Sequence, residues 1–156
     1  MNLKEVIRSP KTNVKIGEWH IGHVPRSKFP MSRARTKSYR FGPDWKWRLV
    51  TFEVAGNLCR ILLLLNESKE IYRARLAVEM EGDMLVLCEH EYHATEAGWH
   101  CHLTLEPISS APVGAARYGK TKWPTHPSRM DFGVTKENAL SVAAKRFCFE
   151  ARGDLL

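Results

Sequence analysis

The sequence predicts an α+β fold, a mainly antiparallel meander sheet of about five strands with a C-terminal helix on one face. Three observations predict it. Residues 47–106 alternate apolar and polar side chains with a period of two and are cut at short intervals by turn signals. Residues 136–150 instead place Leu140, Ala143, Ala144 and Phe147 at helical spacing behind Thr135, a residue suited to capping a helix start. Residues 1–44 show neither period and read as a basic, irregular N-terminal arm ahead of a single domain spanning 45–156.

The first expected strand, 47–54, opens after Trp45 and runs into Ala55-Gly56-Asn57, a turn signal that returns the chain through 58–65. After the polar break 66–70, residues 71–80 put Tyr72, Ala74, Leu76, Val78 and Met80 on one face and Arg73, Arg75 and Glu79 on the other. Glu81-Gly82-Asp83 reads as a three-residue turn, which sets Met80 opposite Met84 and groups Met84, Val86, Cys88 and Tyr92 against Leu85, Leu87, Glu89, Glu91 and His93. Residues 94–98 turn again into 99–106, where Trp99, Cys101, Leu103 and Leu105 oppose His100, His102, Thr104 and Glu106. Beyond that, Pro107, Pro112, Pro124 and Pro127 punctuate a surface excursion carrying Arg117, Lys120, Lys122 and Arg129.

Composition narrows the function classes. With 156 residues, 44% of them hydrophobic, and five Trp, six Phe and four Tyr, the chain has the material for one ordinary core. Its longest strongly apolar run, 61–65, is far short of the roughly 20 residues of a membrane-spanning helix, and the N-terminus lacks the order of a secretory signal. A cytosolic protein with no membrane partner is the expectation. Cys59, Cys88, Cys101 and Cys148 have no close paired spacing, so buried free thiols are expected rather than a zinc ribbon or a dithiol motif.

Charge is uneven. Residues 1–48 hold 12 Lys/Arg against three acids, leaving +9, whereas 49–156 hold 12 against 14, leaving −2. Arg26, Lys28, Arg33, Arg35, Lys37 and Arg40 are interleaved with Ser27, Phe29, Ser32, Ser38 and Tyr39. Cations, hydroxyls and aromatics on an extended segment suit a phosphate backbone, so DNA or RNA is the expected partner and these six residues the expected contacts. A solubilising tail, or an arm that grips an acidic protein, fits the same residues.

Register then gathers a second group. Matching faces put Arg75 opposite Glu89 and Arg73 opposite Glu91, and the next hairpin sets either Glu91 opposite His100 with Glu89 opposite His102, or His93 opposite His100 with Glu91 opposite His102. Two imidazoles on one strand beside carboxylates on its neighbour are ligand types that one divalent ion, Mn²⁺, Mg²⁺ or Zn²⁺, accepts. The stretch Glu91-Tyr92-His93 followed by Gly98-Trp99-His100-Cys101-His102-Leu103 resembles the metal motif of the HUH endonucleases, the rolling-circle replication initiators and relaxases. The resemblance, over about fifteen residues, implies that His100, His102 and Glu91 hold a metal that polarises a phosphate for attack by a tyrosine. Tyr118, with Lys122 four residues on, is the tyrosine that follows the motif.

Other readings use the same face. Glu89 or Glu91 as base, His100 or His102 as acid, and Arg73 or Arg75 against phosphate form a sufficient set for metal-free cleavage, similar in residue types to small microbial ribonucleases and messenger-RNA-cleaving toxins. His102-Leu103-Thr104-Leu105 matches one motif of the two-histidine phosphoesterases, with His126 as the nearest second histidine. His20 and His23 have spacing for an additional ligand, and Trp45 and Trp47 either anchor the first strand or stack on bases. A non-catalytic reading, cross-strand ion pairs on an interaction module of phage or plasmid type, stands beside these.

Overall fold

The computed structural model describes residues 1–93, 98–114, 121–124, 132–152 and 154–155. The chain opens with a short helix, α1 (Leu3–Arg8), whose first turn is closed by a capping box between Asn2 and Glu5. Strands β1 (Thr12–Ile16) and β2 (His20–Ile21) follow, then the meander: β3 (Lys46–Val54), β4 (Asn57–Asn66), β5 (Ile71–Met80), β6 (Asp83–Tyr92) and β7 (His100–Leu103). After β8 (Thr121–Pro124) come the helix α2 (Ala139–Phe147) and β9 (Asp154–Leu155). The five expected strands are β3 to β7. The sheet continues past them in the order β8-β7-β6-β5-β4-β3-β1-β9, with β2 also paired to β3. All of these pairings are antiparallel except β1 with β9. No helix among the described residues is long and apolar enough to cross a membrane.

Both faces of the sheet are covered. On one, Leu3 and Val6 of α1, Ala139, Ala143 and Phe147 of α2, and Phe132, Val134 and Phe149 pack against Val50, Phe52, Ile61, Leu63 and Leu76. On the other, Val24, Phe29, Met31 and Tyr39 pack against Trp47, Leu49, Leu62, Leu64, Ala77, Met84 and Val86. Residues 24–39 therefore lie on the sheet as a cover rather than trailing away as an arm, even though their backbone is irregular, with two single-turn 3₁₀ segments. Ile61 to Leu65 of β4 explain why a cover is needed: five successive buried apolar side chains point alternately to both faces, so neither face can be left to water. The cover is pinned to the β5–β6 turn, where the Ser32 hydroxyl and amide donate to Asp83 and the Met84 amide donates to the Pro30 carbonyl at 2.7 Å. Burial would raise the Asp83 pKa, but these Ser32 hydrogen bonds outweigh it and hold the carboxyl below its ordinary value.

The β5–β6 hairpin departs from expectation in an instructive way. Its turn has two residues, not three: Glu81 (φ 54°) and Gly82 (φ 77°) are left-handed, and Met80 pairs with Asp83. Met84 and Val86 consequently face the cover. The register then shifts between the pairs Ala77–Val86 and Leu76–Cys88, leaving Leu87 as the extra residue of a β-bulge. The bulge restores Arg75 opposite Glu89 and Arg73 opposite Glu91, and it separates Met84 and Val86 from Cys88, which lies on the helix-covered face.

The remaining differences are smaller. Strand β7 ends at Leu103, and the next amide, that of Thr104, donates to the Leu87 carbonyl at the bulge, 3.1 Å away. Helix α2 spans 139–147 rather than 136–150. Thr135 sits at a preceding turn, where its hydroxyl accepts from the Asn138 amide at 3.3 Å, and the left-handed Cys148 (φ 55°) ends the helix. Cys59, Cys88 and Cys101 are buried free thiols as expected, whereas Cys148 is exposed.

Candidate metal centre

Three adjacent strands build the site. Backbone register places Arg73, Glu91 and His100 on one rung across β5, β6 and β7, and Arg75, Glu89 and His102 on the next, so the first of the two expected β6–β7 registers is the one found. Because alternate residues share a face, both rungs point to the same side, the side covered elsewhere by residues 24–39.

The two rungs are used differently. Arg75 Nε lies 2.5 Å from Glu89 Oε2, with both side chains buried. Burial alone would raise the Glu89 pKa. The Arg75 and Arg73 charges, with the hydrogen bond from Arg75, outweigh it and hold the carboxyl below the usual carboxylate range. With Glu89 engaged by Arg75, His102 turns to Glu91 instead, and Glu91 becomes the centre of the group. Its Oε1 lies 2.9 Å from His100 Nε2, 3.0 Å from His102 Nε2 and 3.5 Å from His93 Nε2, and its Oε2 lies 3.4 Å from Arg73 Nε. Side-chain exposure rises outward from Glu91 and His100 at 2% each, through His102 at 11% and His93 at 16%, to Arg73 at 33%.

Glu91, His100 and His102 form a group that could hold a metal ion, since one ligand atom from each lies within 4.8 Å of the others. The 2.9 and 3.0 Å imidazole–carboxylate separations are hydrogen-bond distances, and a tetrahedral ion with metal–ligand bonds of about 2.0–2.1 Å would need them opened to about 3.3 Å. The His100 ring is oriented for this role, with Nδ1 facing the Gly98 carbonyl at 3.4 Å and Nε2 facing inward. Beside this group, burial, before the opposing pull of Glu91, lowers the His93 pKa.

Other expected site residues divide sharply. Arg75, expected at a nucleic-acid contact, is instead sealed in its pair with Glu89. Arg26 is exposed and also braces the cover: it donates to the Met31 and Ala34 carbonyls at 3.3 and 3.1 Å and lies 4.6 Å over the Tyr39 ring. Lys28, Arg33, Arg35, Lys37 and Arg40 are exposed. His20 is not near the group; it stacks on Trp47 at 4.3 Å, and Trp47 is buried under the cover with Nε1 donating to the His23 carbonyl at 3.0 Å. Tyr118 and His126 lie outside the described residues.

Sequence reasoning passed over the approach of His93 to Glu91 Oε1, 3.5 Å away, although His93 stands two residues beyond Glu91; it lies outside the group that could hold a metal. The cover was also missed, and Phe29, Met31 and Tyr39, three large side chains in an otherwise basic stretch, were its signal. No protein-family model matches the chain, and no curated protein and no solved structure is significantly similar to it, so the likeness to HUH endonucleases remains one of local residue pattern.

Proposed function

We propose that the protein is a nucleic-acid-binding, divalent-metal-dependent phosphodiesterase with its centre at Glu91, His100 and His102. The observation that supports this most directly is the convergence of two imidazole Nε2 atoms on one buried carboxylate oxygen, 2.9 and 3.0 Å away, from a strand pair that fixes all three side chains. Two imidazoles with one carboxylate favour Zn²⁺ or Mn²⁺ over Mg²⁺, which prefers oxygen ligands. Held by Glu91, His100 and His102, such an ion would supply an activated water and a Lewis acid. In hydrolysis at such a centre the water oxygen would bond to phosphorus as the ester P–O bond breaks, the proton lost by the water leaving to solvent and the leaving oxygen taking one from solvent. Arg73, the most exposed member of the group, is placed to pair with the non-bridging oxygens. Lys28, Arg33, Arg35, Lys37 and Arg40, held on the cover, supply the attraction for the strand.

One observation favours a second reading. The Arg75–Glu89 pair is closed and buried, and the exposed cations sit on a well-packed segment, which suits a basic interaction module that binds without cleaving. A single experiment separates the readings: metal content and cleavage of single-stranded and duplex DNA and RNA, with and without chelator, for wild type and His100→Ala. Metal at one per chain and cleavage lost in both treatments are expected. Cleavage that survives chelation transfers the chemistry to a metal-free Arg/Glu/His mechanism, and binding with neither metal nor cleavage leaves the interaction module.

A further inference from the structure

We infer that a cleft beside His20 and Trp47 seats one base of a bound single strand, an inference that rests on the nucleic-acid-binding part of the reading above and not on the metal. The backbone pairings put His20, Trp47, Leu64, Arg73, Glu91 and His100 on one rung that crosses β2, β3, β4, β5, β6 and β7. Directly paired residues share a face, so the cleft and the candidate metal centre lie on the same side of the sheet. Three strand spacings, about 14 Å, separate Trp47 from Glu91 along the rung. A strand lying across this face therefore reaches both.

The cleft measures about 520 Å³, within the range of small-ligand sites. Trp47 and Leu49 of β3 form its buried part, while His20 is exposed and stacks on Trp47 with 4.3 Å between ring centroids and 20° between planes. At 3% exposure Trp47 is too buried to meet a base itself. It holds the imidazole flat instead, so an incoming base meets a ring whose orientation is already set. Ser27 and Lys28 of the cover also line the cleft, and their backbone is fixed by Arg60, which donates to the Ser27 and Lys28 carbonyls at 3.1 and 2.8 Å and pairs with Glu79 at 2.9 Å. The Lys28 ammonium makes no ion pair among the described residues, and the lining acid Glu18 is attracted to the Arg48 charge. A ring for stacking, a hydroxyl from Ser27 or Thr51 for the polar edge and a cation for the phosphate are together the contacts of a nucleotide. Lys28 is one of the exposed cations of the cover, which joins the cleft to the surface that attracts the strand.

The test uses the full chain with chelator present, so that no phosphate contact at a metal enters. Proton NMR follows the His20 ring and the Thr51 methyl as AMP or ribose 5-phosphate is added. Fluorescence anisotropy gives the affinity for a short labelled single-stranded DNA in wild type, His20→Ala and His20→Phe, whose dispersed spectra show that they fold. Both resonances are expected to shift with AMP and not with ribose 5-phosphate. Affinity for the strand is expected to fall about tenfold in His20→Ala and to stay within about threefold of wild type in His20→Phe, which keeps a stacking ring. Equal shifts from AMP and ribose 5-phosphate would mean a phosphate contact without a base, and overturn the inference. Equal affinity in wild type and His20→Ala overturns it too and leaves nucleic-acid binding standing. Failure of the wild type to bind the strand or a matching RNA removes the nucleic-acid reading, and this inference with it.

Discussion

The two halves of the β5–β6 hairpin share a backbone geometry and differ in almost everything else. Near the turn, Ala77, Met84 and Val86 face the cover and are buried among apolar neighbours. Past the bulge, the same side of the same strands carries Arg73, Arg75, Glu89 and Glu91, and three of these four are also buried. The first half is explained by the transfer of apolar surface from water. The second is not, because burying an ion pair costs desolvation that its attraction at best roughly repays. Charged residues kept at such positions point to a use other than holding the sheet together.

Substitutions can break or sharpen this contrast. The largest effect is expected at Glu89→Ala, which strands the buried Arg75 cation; a loss of about 3–5 kcal/mol in urea denaturation is expected. Met84→Ala in the apolar half should cost about 2–5 kcal/mol by opening a cavity under the cover. Equal losses from the two would arise for opposite reasons, and replacing both partners tells them apart. Arg75→Met combined with Glu89→Leu should be neutral or up to about 4 kcal/mol more stable than wild type, although either single change is destabilising. A double variant as unstable as Glu89→Ala would show that the pair does stabilise the fold.

Acid titration sharpens the same point. The Glu89 carboxyl lies below its ordinary value of 4.5 in the folded protein, so its contribution is complete above that pH and disappears as pH falls through the folded value. Part of the acid loss of stability should therefore vanish in the Arg75→Met, Glu89→Leu variant, measured as unfolding midpoint against pH from 7 downward. The smallest expected effect on stability is that of Arg35→Ala with Lys37→Ala, within about 0.5 kcal/mol per site because both side chains are exposed. On nucleic acid the same variant should bind more weakly at low salt and show a shallower salt slope; an unchanged slope would move the contact surface elsewhere.

What the sequence disclosed follows from which forces are local. Period-two patterning is local, so β3 to β7 were legible to within a residue or two, except that β7 stops at Leu103. Glu91, His100 and His102 could be gathered because facing alone puts them on one side in either of the two permitted registers. Residues 24–39 lack any period, and the signals of a cover were Phe29, Met31 and Tyr39 within it and the five-residue apolar run of β4, which demands burial on both faces. His93 was overlooked because convergence on Glu91 depends on side-chain reach. The bulge left no pattern at all: Leu87 is apolar, as are its neighbours Val86 and Cys88, so no polar residue marks where the facing changes.

That single extra residue gives the hairpin two independent phases. A three-residue turn without a bulge would also set Arg75 opposite Glu89, but it would swing Met84 and Val86 onto the helix side and strip the cover of its partners. The tight turn alone, with no bulge, would keep Met84 and Val86 in place and send Glu89 and Glu91 into the core beneath the helices. With Leu87 in the chain, only the combination of tight turn and bulge satisfies both ends. Deleting Leu87 should therefore give a regular hairpin that keeps Ala77 opposite Val86, Leu76 opposite Cys88, Arg75 opposite Glu89 and Arg73 opposite Glu91, sparing both the cover and the centre.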